Sequence, residues 1–229
     1  MCGISGIISS DNYNHTQDIL KMISILNHRG PDFNDSWIDR DNQVYLGHNR
    51  LSIIDLSIKA NQPMHSKNNR YVIIYNGEIY NHLELKDELI LNNEGIIFNS
   101  YSDTEIILEC ISFWGFEKAI KKFNGMFSLC VYDKKNKSIF LSIDRMGEKP
   151  LYYGVINGNF IFASELKAIK NLSFFRESVN KNALYQFLNY SYVPSPLTIY
   201  NNVFKIEPGQ YLELKINENK NNYSKNSYS

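Results

Sequence analysis

Removal of the initiator from Met1-Cys2-Gly3-Ile4 would leave a cysteine carrying both its thiol and a free α-amine. A free thiol titrates at roughly 8.5 and an α-amine at roughly 7.7–8, so near neutrality the amine can take the thiol proton. Nucleophile and general base then share one residue. An attack by Cys2 on a carbonyl requires donors for the oxyanion, and Asn76-Gly77 offers a side-chain amide N–H beside a backbone N–H with no Cβ over it. Each well-placed donor contributes on the order of 3 kcal/mol to the transition state, although Asn-Gly is equally the strongest hairpin-turn signal. Arg50 could fork onto a carboxylate or lie on the surface. Glu78 and Asp103 could share a substrate ammonium, while Asp103 could instead cap a helix. Together these groups describe a site for an α-amino acid with a side-chain carbonyl.

The elements that must position them follow from periodicity and breakers. Residues 3–9 read as a buried strand with Cys2 at its mouth. Ile19, Met22, Ile23 and Leu26 recur at helical spacing from Thr16, and His28-Arg29-Gly30-Pro31-Asp32 must end that helix. Residues 43–54 predict two short strands around Gly47-His48-Asn49-Arg50, and residues 70–75 another that ends in Asn76-Gly77. Asn81 with Glu84 resembles a capping box for a helix bearing Leu85 and Leu89. A second helix is expected from Ser102-Asp103 toward Trp114. Residues 126–133 with 138–144, and 151–163 across Asn157-Gly158, predict two hairpins, and a further strand follows Pro208-Gly209. Asp144 to Pro150 alternates charges in one loop, either a solvated turn or a self-paired knot. Strands at the beginning, middle and end with helices between give an α+β layered domain.

Lys+Arg and Asp+Glu both number 24 among the 229 residues, so no overall field attracts nucleic acid or an acidic membrane surface. Cys2, Cys110 and Cys130 are widely spaced and odd in number, which argues against a disulfide framework or zinc site and for a cytoplasmic setting. The last two are expected to pack in the core. The five histidines, at 15, 28, 48, 65 and 82, lack paired ligand spacing and read as surface or hydrogen-bonding residues, with no metal. Neither a signal peptide nor an uninterrupted apolar run of about 18 residues is present.

Six motifs stand in order: Met1-Cys2-Gly3-Ile4, His28-Arg-Gly-Pro-Asp32, Arg50-Leu-Ser-Ile-Ile-Asp55, Asn76-Gly-Glu-Ile-Tyr-Asn81, Ser102-Asp-Thr-Glu105 and Asp144-Arg-Met-Gly-Glu-Lys-Pro150. With Phe162-Ala-Ser-Glu-Leu-Lys167, Tyr192-Val-Pro-Ser-Pro196 and Pro208-Gly-Gln210, they make the chain resemble the glutaminase domain of glutamine-hydrolysing asparagine synthetase. The resemblance implies a four-layer α/β/β/α sandwich of the N-terminal nucleophile hydrolase type. It covers a class II glutamine amidotransferase domain over 1–214 and leaves 215–229 as a polar linker or disordered tail. Met146 stands where Phe or Leu is expected, a change that should leave the fold intact.

By the same resemblance, mature Cys2 attacks the side-chain amide of L-glutamine and releases glutamate and ammonia through a thioester. Asn76 and Gly77 match the oxyanion hole, Arg50 the α-carboxylate grip, Glu78 and Asp103 the α-amino contacts, and Leu51 and Ile53 the pocket lining. The glutaminase step needs no cofactor. ATP and Mg2+ belong to a synthetase domain that has no counterpart in this chain and that would accept the ammonia in cis or in trans to amidate aspartate. Neither nucleic acid nor membrane is an expected partner, and a homodimer is compatible with the sequence. A non-catalytic module that binds glutamine or a partner, and an amidotransferase domain serving another acceptor, are the alternative readings.

Overall fold

The computed structural model describes residues 1–11, 13–93, 95–216 and 222–228. β1 (Gly3–Ile8) leads through α1 (Thr16–Leu26) to β2 (Phe33–Asp39), β3 (Val44–Arg50), the short β4 (Met64–His65) and the long β5 (Tyr71–Ile79). Three helices follow, α2 (His82–Asn92), α3 (Asp103–Trp114) and α4 (Phe116–Lys122), and then β6 (Gly125–Asp133) and β7 (Ser138–Ile143). The chain continues with β8 (Tyr152–Ile156), β9 (Asn159–Ala163), α5 (Leu166–Lys170), α6 (Lys181–Tyr190), β10 (Val203–Lys205), β11 (Gln210–Lys215) and β12 (Asn222–Ser227).

Two antiparallel sheets result, in the orders β10-β8-β9-β1-β3-β2 and β12-β11-β7-β6-β5-β4. Period-two alternation builds the layers. Val72 and Ile74 of β5 join Cys130 and Tyr132 of β6 and Ile4 and Ile8 of β1 in a core between the sheets. Tyr71, Ile73 and Tyr75 face the other way, against Ile107, Cys110 and Ile111 of α3. On the outer face of the first sheet, Ile7 and Ile161 pack on Ile19, Met22 and Ile23 of α1 and on Ala168 and Ile169 of α5. The layers are therefore helix, sheet, sheet, helix.

Several local expectations are corrected. Within residues 43–54 there is one strand, β3, over Val44–Arg50, and it pairs on one side with β1 and on the other with β2, which the sequence did not signal. β5 does not stop before Asn76-Gly77: it pairs with β6 through Asn76↔Ser128 and Gly77↔Phe127, because the inter-sheet and helix-facing alternation continues to Ile79. Asn81 precedes α2 without capping it. Its side chain instead donates to Lys122 O (3.0 Å) and accepts from Asn124 N (3.0 Å), fastening the α4–β6 connection. The expected linker or disordered tail is overturned over residues 222–228, where β12 pairs with β11 from Asn222↔Lys215 to Ser227↔Gln210. Buried Tyr228 anchors that end through its hydroxyl, which donates to Ile143 O at 2.6 Å. Residues 217–221 and 229 of that tail lie outside the described residues.

Candidate active site

Strand parity aims the site. Cys2 is in phase with Ile4, whose side chain fills the inter-sheet core, and Asn76 is in phase with Val72 and Ile74. The two residues therefore project into the space between the sheets at its open end. Arg50 is the last residue of β3, next to β1, and Asp103 the first of α3. The eight residues singled out by sequence, Cys2, Arg50, Leu51, Ile53, Asn76, Gly77, Glu78 and Asp103, all line one solvent-open pocket of about 130 Å³.

The thiol lies against the main chain of Leu51, whose N–H donates to Sγ at 3.4 Å while Sγ–H donates to Leu51 O at 3.7 Å. Burial pushes the Cys2 thiol up, and the Leu51 backbone contact and the Arg50 charge oppose that only in part. A protonated thiol at neutrality needs a base before it can attack. In this structure Met1 precedes Cys2 and lines the pocket, with Lys149 Nζ at 3.6 Å from its sulfur. Burial lowers its amine, as do the charges of Arg29 and Lys149.

Arg50 is buried, not a surface residue. Nη1 donates to Ser57 O (2.9 Å) and to Asn61 Oδ1 (2.6 Å), and Nη2 to Asp55 O. That collar from residues 55–61 leaves the Nε–H and one Nη2–H, a side-on fork, without a partner among the described residues. Asp103 is not the cap of α3: Ser102 is, its Oγ accepting from Thr104 N. Asp103 Oδ2 instead accepts from Tyr75 Oη (2.8 Å) and from Ile79 N (3.0 Å). Burial raises its carboxyl despite both donors. Glu78 is half-buried and Ile53 mostly exposed at the rim.

Asn76 is buried, and its amide reaches only Ser128 Oγ, at a long 3.5 Å, so one N–H is unspent. Gly77 is required for a reason the sequence did not show: a Cβ there would lie 2.2 Å from Met126 O across the ladder. Behind them, His48 Nε2–H donates to Tyr75 O (3.1 Å), tying the two sheets together. Of the two roles expected for the histidines, surface or hydrogen-bonding, His48 and His15 take the second: both are buried, and His15 Nδ1 lies 2.8 Å from Asp18 Oδ2. Burial pushes the His48 imidazole down to about 4.

Sequence reasoning assigned no role to Tyr75, Gln62, Thr104 or Lys149, which also line the pocket. Gln62 braces the site, accepting from Tyr75 N at 2.6 Å and donating to Thr104 Oγ1 at 3.2 Å. No local signal marks it, whereas Tyr75 could have been suspected as the neighbour of Asn76. The loop from Asp144 is a knot paired largely with itself, through its own backbone rather than charge to charge. Asp144 accepts from the backbone N–H groups of Phe127, Met146, Glu148 and Lys149, while Arg145 reaches Phe123 O and Lys121 O.

Comparison with known proteins agrees with this architecture. A Methanocaldococcus jannaschii protein provisionally named asparagine synthetase [glutamine-hydrolyzing] 2 is 40% identical over 231 residues, 93% of this chain and 44% of its own. Asparagine synthetase [glutamine-hydrolyzing] 1 of Bacillus subtilis is 37% identical over 219 residues, covering 94% of this chain and 34% of that protein. The chain thus spans less than half the length of these relatives. The solved structure of glutamine phosphoribosylpyrophosphate amidotransferase from B. subtilis, complexed with ADP and GMP, superposes with a TM-score of 0.71. It is 19% identical, and the match covers 100% of this chain and 49% of that one, which establishes a shared fold. A family model described as "Glutamine amidotransferase domain" matches residues 1–228, from Met1, just before the cysteine at the mouth of β1, to the tyrosine anchoring β12. The chain belongs to the glutamine amidotransferase domain family.

Proposed function

We propose that this chain hydrolyses L-glutamine at Cys2 after removal of Met1. The observation that carries the reading is the convergence of a thiol, an oxyanion pair, a guanidinium fork and two carboxylates on one pocket. The free edge of Arg50 takes the α-carboxylate, and Glu78 with Asp103 takes the α-ammonium, so the side-chain amide is delivered toward Cys2. The Cys2 amine accepts the thiol proton as Sγ bonds to the amide carbon. The Asn76 amide and the Gly77 N–H receive the oxyanion. Collapse expels ammonia, which carries the proton returned by the amine, and leaves a thioester. Water then releases glutamate and the thiol. No cofactor takes part in these steps.

In the intact enzyme, a synthetase domain using ATP and Mg2+ receives the ammonia and amidates activated aspartate. Support for that destination comes from the asparagine synthetase relatives. The test is ammonia release from glutamine by the chain with Met1 removed. Cys2→Ala is expected to fall to background, and material that mass spectrometry shows to retain Met1 is expected to be inactive. Ammonia release by the Cys2→Ala protein would remove Cys2 from the mechanism. Glutamine binding without ammonia release from the processed chain would make it a binding module.

A further inference from the structure

Two charged segments outside the pocket lining meet at the mouth of β1. His28 and Arg29 follow α1, and Ser164 and Glu165 join β9 to α5. Ser164 clasps the start of β1 from one side: Ile4 N donates to Ser164 Oγ at 3.0 Å, and Ser164 N donates to Ile4 O at 2.9 Å. Arg29 clasps it from the other, its Nε donating to Cys2 O at 2.9 Å. Glu165 Oε1 accepts from Arg29 Nη1 and from His28 Nε2, both at 2.9 Å, and Oε2 lies 3.2 Å from Lys167 Nζ.

We propose that Glu165 is a positioning residue for the nucleophile: its carboxylate holds the Arg29 guanidinium, and Arg29 holds the main chain at Cys2. This inference rests on Cys2 hydrolysing glutamine. The side chain of Arg29 is only 8% exposed and that of Glu165 24%, whereas those of His28 and Lys167 are about half exposed at 49% and 48%. The Arg29–Glu165 pair is thus the shielded part of the cluster, where a charge-assisted hydrogen bond fixes geometry best. Arg29 Nη2 has no partner among the described residues, so Glu165 is the only side chain that fixes the plane of the guanidinium. Burial would raise the Glu165 carboxyl, but Arg29, His28 and Lys167 overcome it and hold it down to about 2. The carboxylate is therefore charged wherever the thiol can work. Cys2 lies one residue before the first strand residue, so ladder bonds do not fix its carbonyl. Its orientation depends on this side-chain relay and on Leu51.

The relay acts on placement of Sγ, not on glutamine binding, so its loss must appear in kcat. Misplacement by about 1 Å can cost on the order of 100-fold in rate. Steady-state ammonia release is measured for the parent, Arg29→Gln, Glu165→Gln and the double variant, with thermal unfolding of each. Glu165→Gln is expected to lower kcat about 10- to 100-fold with KM within about twofold. The double variant should be no slower than Arg29→Gln alone, because both substitutions break one relay. Glu165→Asp, which keeps the charge, should recover part of the loss. His28→Ala and Lys167→Ala should leave kcat unchanged.

A kcat for Glu165→Gln within twofold of the parent, or losses that multiply in the double variant, would overturn the proposal. So would an equal loss in His28→Ala or Lys167→Ala. A Glu165→Gln chain that fails to fold beside a fully active Glu165→Asp would assign Glu165 a structural role and overturn it too. A processed parent that releases no ammonia overturns the glutaminase reading itself and this inference with it. An active parent with indifferent Glu165 variants overturns this inference alone.

Discussion

At the scale of the residue, Arg50 shows how a side chain is held without being used up. Three acceptors, Asp55 O, Ser57 O and Asn61 Oδ1, surround one side of its guanidinium. Five N–H donors minus that collar leave a planar pair for a ligand carboxylate. A lysine has three donors and no fork, so the collar alone would satisfy it. Arg50→Lys is therefore expected to raise the KM for glutamine by about 10-fold or more with a much smaller change in kcat. An unchanged KM in ammonia-release kinetics would take the α-carboxylate away from Arg50. The residue type and its place at a strand end were readable from sequence. The collar was not, because the 55–61 loop has no periodicity and is positioned by the folded sheet end.

At the scale of the element, the loop after β7 is organised by one carboxylate. Asp144 accepts four backbone N–H groups at 3.0–3.2 Å and is 1% exposed. One of the four belongs to Phe127, on the strand opposite Gly77, and another to Lys149 at the pocket. Hydrogen bonds to a charged group contribute about 1.5–3 kcal/mol, and donors stranded by its removal carry their own desolvation cost. Asp144→Ala is expected to destabilise the chain by about 3 kcal/mol or more, read from the urea midpoint, and a shift below about 1 kcal/mol would show the knot to be dispensable. Met146 in the same loop is 78% exposed, which explains why its difference from the expected Phe or Leu leaves the packing intact.

At the scale of the whole molecule, the two sheets are joined behind the site by His48, which donates from β3 to the Tyr75 carbonyl of β5. The unfolded chain protonates this imidazole near 6.5, whereas burial holds it neutral in the folded chain down to about 4. The unfolded state binds more protons between those values, so stability is full above pH 6.5 and is lost as pH falls toward 4. His48 alone contributes about 3 kcal/mol to that loss. His48→Gln keeps a donor for Tyr75 O without a titrating ring, and should flatten the dependence of thermal unfolding on pH across this window. An unaltered slope would locate the acid sensitivity elsewhere. The far edge of the second sheet is closed by β12 and Tyr228, so residues with linker-like composition complete the sandwich.

By itself the sequence determined the chemical inventory and most of the elements. Breakers such as Pro31 and Gly209 punctuate it, the continuous apolar run of residues 71–75 marks a strand buried on both faces, and Cys2, Arg50, Asn76, Gly77, Glu78 and Asp103 carry the right functional groups. Only the tertiary structure decided how these groups meet. Asn76-Gly77 resembles a turn locally, but continuation of the ladder against Ser128 and Phe127 makes it a strand end. Asp103 resembles a cap, but Tyr75 and Ile79 draw its carboxylate away from the helix start. β12 has no apolar periodicity, and the exposed edge of β11 supplies its partner. Local propensity ranks the options of a segment, whereas hydrogen-bond partners distant in sequence, from the Arg29–Glu165 relay to the His48–Tyr75 tie, exist only once both sheets have formed.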